Sequence, residues 1–395
     1  MQSSLNIIII VTGGDGFPNG GAYINRIISL AKGLIKNGND VSVLVTYPGN
    51  KRPENYEGVY EGIKYDYTVR NAKPKSKIET IKTGLIGTWN AIRFLRRNNK
   101  EKKIDCIISG TGNIFQNTAL YLFTHFHNTP LIREKNEYPL VVLHKEKYSK
   151  LYVHLYLKYY YKLFNGLLVI NNKLKSFYGN KLRKGAKQLL VPMIVEPERF
   201  NLPVPQQNTI SFCGHLWGSK DGVPILVEAF SLIAKKFPDY KLQLIGRTDT
   251  HPQEYENVKA KIRGLGIADQ VVFTGFVDRE SIPKYLCSSK LLVLARPESK
   301  QAEGGFPTKL GEYLATGNPV VVTSVGEIPE FLQDGVDVFM AKPGDVKDFA
   351  EQMSYALSHS DLAKKIGENG RKIANTTFNY SFQGERITDF IQLLK

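Results

Sequence analysis

One run of the chain, Glu303 to Thr323, carries residue types whose spacing suits the binding of an anion. Its two adjacent glycines can adopt backbone angles closed to other residues, which predicts a turn. Pro307 suits the first position of a helix, so the amide hydrogens of Thr308 and Lys309 would point out of the helix start. An anion there meets hydrogen-bond donors and the positive end of the helix dipole. The run therefore predicts a binding site for a diphosphate.

Glu312 adds a carboxylate to this site. It lies five residues beyond Pro307, or about 7.5 Å along a helix, which is roughly the offset from a diphosphate to its ribose. There it could accept hydrogen bonds from both ribose hydroxyls. Gly317 would end the helix, and the apolar run Val320–Val322 predicts a strand of a parallel sheet. The plainer alternative is a connecting loop followed by a helix on which Glu312 is only solvated.

Strand-like apolar runs alternate with helical patterns along the chain, which is typical of doubly wound α/β sheets. They are Ile7–Val11, Val41–Val45, Ile104–Ile108, Pro130–Ile132, Leu167–Ile170, Gln188–Val191, Thr209–Cys213, Leu242–Ile245, Val271–Thr274, Leu291–Leu294, Val320–Thr323 and Val338–Ala341. We predict two Rossmann-like domains, 1–192 and 207–378, with a proline-rich linker at 193–206. A C-terminal helix at 379–395 could cross back to the first domain. Because ligands bind at the carboxyl ends of parallel strands, a cleft between two facing sheets is the expected active site.

The second domain opens with FCGHLWGSKDGVPILVEAF, residues 212–230, which predicts a strand, a glycine turn and an amphipathic helix. Together with the run around Glu312, this segment resembles the nucleotide-sugar site of retaining glycosyltransferases of family 4. These enzymes have the GT-B fold and are also called glycosyl transferases group 1. The resemblance implies that Glu312 binds the donor and that Lys220 neutralises the departing diphosphate.

The first domain offers a second glycine turn after its opening strand, formed by Gly13, Gly14, Gly16, Gly20 and Gly21. Such a turn is a weak sign of dinucleotide binding, because no acidic residue ends the second strand. The resemblance implies that Gly20 and Gly21 let the backbone approach the transferred sugar. Ordinary turn geometry is the competing explanation.

Two departures from the family concern donor binding. His215 stands where the family usually has an arginine, so Arg247 or Arg296 is a candidate to replace that charge, although either could be a surface cation. The family has two glutamates separated by seven residues. Counting back from Glu312 places the first at Gly304, one position after Glu303, so either a local shift lets Glu303 reach the sugar or this contact is lost.

A third departure lies in PLIREKNEYP, residues 130–139. Many relatives have a histidine near the end of this strand, and Asn136 is the nearest match here. Asn136 could bind a sugar hydroxyl, and Glu134 or Glu137 could orient the acceptor. A plain polar loop is the alternative. Front-face retaining transfer needs no protein base, because the leaving phosphate oxygen can take the acceptor proton.

The resemblance thus implies a set of site residues. Catalytic roles are expected for Lys220, Glu303 and Asn136. The expected donor-binding residues are Gly20, Gly21, Gly214, His215, Lys220, Arg247, Phe276, Val277, Gly305, Phe306, Pro307, Thr308, Lys309 and Glu312, with the nucleobase near Phe276 and Val277. No Asp-x-Asp pair suited to a metal on a nucleotide diphosphate is evident, so neither a metal nor another cofactor is expected.

The composition points to the cytoplasm. Cys106, Cys213 and Cys287 are odd in number and widely spaced, which is typical of buried thiols in a reducing compartment. A strand is predicted almost at the first residue, so a cleaved signal peptide is not expected. No apolar run approaches the roughly 20 residues that span a bilayer.

The charge is concentrated in the first half. Residues 1–200 carry 31 Lys and Arg against 14 Asp and Glu, a net charge of +17, whereas residues 201–395 have a net charge of −1. This asymmetry predicts an anionic partner for the first half, which could be a membrane surface, a nucleic acid or an acidic substrate.

A membrane surface is favoured by a helical pattern from His144 to Phe164 that has tyrosines on one face and lysines on another. The expected membrane contacts are Lys150, Lys158, Lys162, Arg93, Arg96 and Arg97. Each cation near an anionic bilayer contributes about 1 kcal/mol. In the alternative, the tyrosines belong to the core and the lysines form a solvated rim.

We therefore expect the protein to transfer a sugar, with retention, from a UDP- or GDP-sugar to a saccharide acceptor. The expected acceptor is a lipid-linked intermediate of surface polysaccharide synthesis, at the inner face of the cytoplasmic membrane. One alternative is a GT-B nucleotide-sugar epimerase, which is disfavoured because no acid and base constellation is evident. Another is a non-catalytic nucleotide-sugar-binding protein, suggested by His215 and the displaced Glu303. Nucleic-acid binding is weaker, because no recognised module accompanies the basic residues.

Overall fold

A computed structural model describes residues 4–12, 16–18, 20–49, 55–70, 73–216, 220–249 and 251–395. The chain divides into two compact units. Unit 1 comprises residues 1–194 and 380–395, and unit 2 comprises residues 195–379. Gly13 and Gly14 of the predicted glycine turn lie outside the described residues.

The strands of unit 1 form one sheet. They are β1 (Asn6–Val11), β2 (Asp40–Val45), β3 (Glu57–Tyr60), β4 (Ile63–Tyr67), β5 (Cys106–Ser109), β6 (Leu131–Lys135), β7 (Gly166–Val169) and β8 (Lys187–Leu190). Their spatial order is β3-β4-β2-β1-β5-β6-β7-β8, and the strands pair in parallel except for the β3–β4 hairpin. The sequence reasoning missed this hairpin, because β3 and β4 lack the continuous apolar runs of the inner strands.

The helices of unit 1 surround this sheet. They are α1 (Ala22–Lys36), α2 (Lys77–Glu101), α3 (Ile114–Phe126), α4 (Leu140–Leu143), α5 (Lys150–Tyr159), α6 (Asn172–Gly179) and, from the end of the chain, α15 (Tyr380–Gln392). Turns of 3₁₀ helix lie at Lys145–Lys147 and Tyr160–Leu163. The single helix expected from His144 to Phe164 is therefore wrong in its bounds, because its ends have 3₁₀ geometry.

The C-terminal helix α15 belongs to the core of unit 1 and packs on α1. A Cβ atom added to Gly33 of α1 would lie 2.1 Å from the carbonyl oxygen of Tyr380. One added to Gly384 of α15 would lie 2.2 Å from the carbonyl carbon of Gly33. The two helices thus approach at a pair of glycines, and any side chain there would push them apart.

Unit 2 contains a second parallel sheet. Its strands are β9 (Gln207–Cys213), β10 (Lys241–Ile245), β11 (Val271–Gly275), β12 (Ser289–Leu294), β13 (Val320–Thr323) and β14 (Phe339–Ala341). Its helices are α7 (Val223–Ile233), α8 (Pro252–Gly264), α9 (Ile282–Ser288), α10 (Lys300–Gly304), α11 (Thr308–Ala315), α12 (Ile328–Phe331), α13 (Val346–Ser358) and α14 (Ser360–Asn375). Turns of 3₁₀ helix lie at Pro197–Phe200 and Ala268–Gln270.

The strand order of unit 2, β11-β10-β9-β12-β13-β14, is the doubly wound Rossmann order. In such a sheet the connections turn to opposite sides at one point, which here lies between β9 and β12. A crevice forms outside the carboxyl ends of the two strands that flank this point. The fold class expected from the sequence, two doubly wound α/β domains, is confirmed.

Candidate functional site

The carboxyl ends of β9 and β12 bring together residues that are far apart in the sequence. Gly214 follows β9, and Ala295 and Arg296 follow β12. A Cβ atom added to Gly222, at the start of α7, would lie 1.8 Å from the carbonyl oxygen of Ala295. Gly222 therefore packs directly on the end of β12, at the switch point of the sheet.

A buried ion pair forms the centre of this site. Lys309 Nζ lies 2.6 Å from Asp221 Oδ2, and the two side chains are 17% and 4% exposed. Lys309 Nζ also lies 4.7 Å from the centroid of the Phe212 ring. A Cβ atom at Gly214 would be only 2.1 Å from Lys309 Nζ, so a side chain at this position would displace the ammonium group.

Asp221 holds its negative charge among several cations. Burial alone would raise the pKa of Asp221, but the nearby Lys309, Arg296 and Lys220 lower it below its ordinary value. Arg296 is 4% exposed, whereas Lys220 and His215 are exposed. The sequence reasoning missed Asp221, which directly follows Lys220 and whose role depends on a contact 88 residues away.

The start of α11 differs from the predicted glycine turn. Residues Lys300–Gly304 form the short helix α10, and Gly305 is extended, with φ −119° and ψ 172°. Pro307 is the N-cap of α11 and not its first helical residue. Thr308 and Lys309 open the helix, so their amide hydrogens have no carbonyl partner within it. The anion-binding end of the helix is present, although the backbone reaches it differently.

Two other predicted members of this run, Phe306 and Glu303, have side-chain partners within unit 2. Phe306 is 5% exposed and packs against Phe331 and Phe378, with ring centroids 5.4 and 5.9 Å apart. The Phe306 ring therefore belongs to the core, and donor binding by Phe306 stays a prediction. Glu303 Oε2 lies 2.8 Å from Lys300 Nζ on the same short helix.

Glu312 is half-buried near two arginines that the sequence reasoning did not select. Arg279 Nη2 lies 2.9 Å from Glu196 Oε1, and Arg199 Nη2 donates to the carbonyl oxygen of Arg279 at 2.6 Å. Burial raises the pKa of Glu312. The positive charges of Arg199, Arg279 and Lys309 oppose that rise, and the negative charge of Glu196 adds to it. The pKa of Glu312 is raised on balance, because burial outweighs the three cations.

Part of this environment comes from the segment expected to be a linker. Unit 2 begins at Val195, and Glu196 and Arg199 lie at or within its first 3₁₀ turn. Glu196 is 4% exposed and Phe200 2% exposed, so this part of the expected linker is packed within unit 2.

Arg247 and Phe276 lie just after the carboxyl ends of β10 and β11, where their side chains contact each other. The guanidinium carbon of Arg247 lies 4.3 Å from the Phe276 ring centroid, and Phe276 is 64% exposed. Arg247 Nη1 lies 3.8 Å from Asp249 Oδ2. Val277 follows directly in the chain. An exposed aromatic face beside a guanidinium is a suitable platform for a planar base.

In unit 1, the side chain of Glu134 is buried and paired with Arg26. It is 3% exposed, and its Oε1 accepts from Arg26 Nε at 2.8 Å. Arg26 also donates to the carbonyl oxygens of Val191 and Pro192. This buried network ties α1, β6 and the end of β8 together, and the acceptor contact of Glu134 stays a prediction.

The residues around Glu134 retain polar groups that could meet a ligand. Among the described residues, Asn136 Oδ1 is buried and accepts no hydrogen bond. Lys135 is half-buried, and burial and the nearby Arg133 lower its pKa to about 7. Glu137 is also half-buried. Lys135 was not among the site residues predicted from the sequence.

The glycine turn of unit 1 is described at Gly20 and Gly21. A Cβ atom at Gly20 would lie 2.3 Å from Ile24 Cγ1, and Gly21 is the N-cap of α1. Local packing alone therefore requires glycine at position 20. Whether Gly20 and Gly21 approach a sugar stays a prediction.

The described residues contain no group of three or more His, Cys, Asp and Glu placed to hold a metal ion. Cys106, Cys213 and Cys287 are free thiols. Within the described part of the chain, no helix combines the length and apolarity needed to cross a membrane.

Known proteins resemble this chain in sequence and in fold. Residues 207–359, which contain the β9–β12 crevice, match the family model described as Glycosyl transferases group 1. The whole fold is similar to that of sucrose-phosphate synthase from Thermosynechococcus elongatus, with a TM-score of 0.76 over 99% of both chains at 15% identity. Residues 207–359 are therefore similar to the glycosyl transferases group 1, and the chain as a whole has the GT-B fold.

Relatives of this chain include the amylovoran biosynthesis glycosyltransferase AmsK of Erwinia amylovora. It is 30% identical over 51% of this chain and 50% of its own length. Mannosylfructose-phosphate synthase of Agrobacterium fabrum is 26% identical over 43% of this chain and 37% of its own length. The chain thus spans half or less of the length of these two relatives.

Solved structures extend the likeness in fold to the whole chain. The crystal structure of Anabaena HepE in complex with UDP and glucose has a TM-score of 0.72 and 15% identity, and the match covers 98% of this chain and 99% of HepE. At this identity the likeness concerns the fold.

Proposed function

We propose that this glycosyltransferase moves a sugar, with retention, from a UDP- or GDP-sugar to a saccharide acceptor. The observation that carries the proposal is the cluster at the switch point of unit 2. There Lys309, held by Asp221, lies at the start of α11, and Glu312 lies one turn further on. A helix start, a buried lysine and a carboxylate at this spacing are the groups that a nucleoside diphosphate requires.

We assign each part of the donor to residues of unit 2. The amide hydrogens of Thr308 and Lys309 would bind the diphosphate, and exposed Lys220 would add positive charge. Glu312 would accept from the ribose hydroxyls. The base would stack at the Arg247–Phe276 platform, where the ring is 64% exposed. The complex of HepE with UDP and glucose supports a uridine nucleotide as the first donor to test.

The reaction follows from this placement of charge. The bond between the anomeric carbon and the phosphate oxygen breaks, and the acceptor oxygen bonds to the same face of that carbon. The departing phosphate oxygen takes the acceptor proton, so no protein base is needed. Lys220 and Lys309 stabilise the charge that develops on the diphosphate, and no metal is required for this. Asn136 and Glu303 are the proposed contacts of the transferred sugar.

We also propose a lipid-linked saccharide as the acceptor, in the synthesis of a surface polysaccharide. The name of the relative AmsK, an amylovoran biosynthesis glycosyltransferase, supports a polysaccharide product. The net charge of +17 on residues 1–200 supports an anionic membrane surface as the place of reaction, at the inner face of the cytoplasmic membrane. Unit 1 would bind the acceptor.

The test is the release of nucleotide from a panel of UDP- and GDP-sugars without an acceptor. We expect slow release from one donor and a reduction of about a hundredfold in Lys220→Ala, because a charge that stabilises the leaving group is lost. Lys235→Ala, which removes an exposed lysine elsewhere in unit 2, is the matched control. Retention is then read from the anomeric configuration of the product formed with an acceptor.

The same assay separates the alternatives. An epimerase would convert the sugar nucleotide without any acceptor and yield an isomeric sugar. A non-catalytic binding protein would bind nucleotide yet release none from any donor, whatever saccharide is offered. Either result would overturn the proposed transfer.

A further inference from the structure

Helix α2 of unit 1 exposes large apolar side chains to the outside of the molecule. Ile78, Ile81, Leu85 and Trp89 are 80%, 65%, 46% and 63% exposed. Their spacing of three and four residues places them along one side of the helix, and we call them the outer apolar stripe. A helix of a globular protein normally turns such a stripe towards the core, so this arrangement requires an explanation.

The orientation of α2 is fixed by its opposite side. The buried residues of the helix are Thr83, Gly87, Thr88, Ala91 and Leu95. A Cβ atom at Gly87 would lie 2.2 Å from the carbonyl oxygen of Thr46, and Thr68 Oγ1 donates to the Gly87 carbonyl at 3.1 Å. Asn90 Nδ2 donates to the carbonyl oxygen of Thr68 at 2.8 Å. The helix cannot turn its stripe inwards without breaking these contacts.

The apolar surface continues onto the next helix. A Cβ atom at Gly84 would lie 3.7 Å from Asn113 Nδ2, which places the first turn of α3 beside α2. Ile114 and Phe115 of that turn are 38% and 55% exposed. Two neighbouring helices thus present large apolar side chains at one place, and single scattered exposures do not account for this.

Cations surround the stripe. Lys77 and Lys82 are exposed on the same half of α2, and Arg93, Arg96 and Arg97 are exposed beyond Trp89. An amphipathic helix with Trp, Ile and Leu on one face and Lys or Arg beside them is the arrangement that lies in the interface of an anionic bilayer. The indole of Trp prefers this depth of the membrane.

We propose that α2 inserts its outer apolar stripe into the boundary between headgroups and acyl chains of an anionic bilayer. The partner is the lipid surface, and the surrounding cations meet its headgroups. This goes beyond the charge of unit 1, because insertion depends on apolar area and persists when salt screens the cations. It rests on the proposed membrane location but not on sugar transfer.

The first experiment uses Trp89 as a probe. The chain has two tryptophans, and Trp217→Phe leaves Trp89 as the sole one. The full-length protein is mixed with vesicles of phosphatidylglycerol and phosphatidylcholine. We expect the emission of Trp89 to shift to the blue and to be quenched by brominated acyl chains. An unchanged emission at low salt would overturn the proposal.

The second experiment separates insertion from charge. The variant Ile78→Gln, Ile81→Gln, Leu85→Gln keeps the net charge, and we expect it to bind these vesicles at least about tenfold more weakly. The control Leu232→Gln, Val272→Gln, Leu362→Gln removes apolar side chains that are 57%, 42% and 39% exposed in unit 2. This control should bind as the wild type does.

Equal vesicle binding by the wild type and the α2 variant would contradict the inference. It would also be contradicted if light scattering showed a wild-type dimer that the α2 variant dissociates, because a second copy would then cover the stripe. Circular dichroism and the melting temperature confirm that the variant is folded. If UDP fails to bind the wild type while vesicles still shift Trp89, the donor site fails and the membrane helix stands.

Discussion

At the scale of single residues, Asp221 gives Lys309 a negative partner where a donor diphosphate is proposed to bind. The pair is largely buried, so each charge depends on the other for solvation. Incoming phosphate oxygens would share Lys309 with this carboxylate. The lysine is therefore held in position before the donor arrives, and less ordering is needed on binding.

Replacement of Asp221 by Asn tests this relation. We expect the free energy of unfolding to fall by about 2 kcal/mol, because Lys309 loses its charged partner in a buried site. We also expect UDP to raise the melting temperature of Asp221→Asn by more than that of the wild type, because the diphosphate replaces the lost charge. Thermal and urea denaturation with and without UDP measure both effects.

The control is Glu256→Gln, which breaks the partly exposed pair with Lys259. It should change the free energy of unfolding by no more than about 0.5 kcal/mol. A response to UDP in Asp221→Asn that is no larger than in the wild type would show that the diphosphate does not meet Lys309.

The residues of this site differ in how far the sequence could reveal them. Lys309 and Glu312 lie in one run, so their spacing on a helix was readable directly. Asp221, Arg199 and Arg279 reach the site only through the folding of distant segments, and no local pattern marks them. The packing of the Phe306 ring in the core could not be read from its own run either, because its partners Phe331 and Phe378 lie further along the chain.

At the scale of elements, the contact between α1 and α15 shows how the end of the chain is fixed to unit 1. Gly33 and Gly384 let the two helices approach at backbone distance. The apolar period of the C-terminal residues predicted an amphipathic helix. The partner of that helix could not be read from its own sequence, because Gly33 lies more than 300 residues away.

Gly384→Ala should destabilise this contact. The added methyl group would lie 2.2 Å from backbone atoms of Gly33, and overpacking of this kind costs about 2 kcal/mol. Gly264→Ala is the control, because a Cβ atom at this end of α8 meets no other atom within 4 Å. It should leave stability unchanged or raise it by about 0.5 kcal/mol.

Chemical denaturation of both variants measures these changes. Equal stability of the two would show that α15 does not depend on this approach to α1.

Other elements show where local patterns suffice. The inner strands β1, β5 and β12 contain continuous apolar runs, because both faces of a parallel sheet are covered, and all three were predicted within a few residues. The short helix α10 was missed because Gly304 and Gly305 are typical of a turn. Its formation depends on the N-cap Ser299, which accepts from the amide of Ala302 at 3.0 Å.

At the scale of the whole molecule, similar sheets carry very different charges. Both units place their inner strands in the doubly wound order, yet the positive charge belongs to the first half of the chain. The fold therefore does not require that charge. Fold and charge together support a division of labour in which unit 2 binds the nucleotide and unit 1 binds the acceptor at a membrane.

The central claim is that unit 2 binds a nucleoside diphosphate through α11, and calorimetric titration with UDP tests it most directly. We expect one site in the wild type and binding at least about tenfold weaker in Glu312→Gln, because the ribose loses a charged acceptor. Glu368→Gln, on α14 and paired with Arg371, should bind UDP as the wild type does. Equal affinity of Glu312→Gln and the wild type, or no heat of binding with either UDP or GDP, would contradict the account.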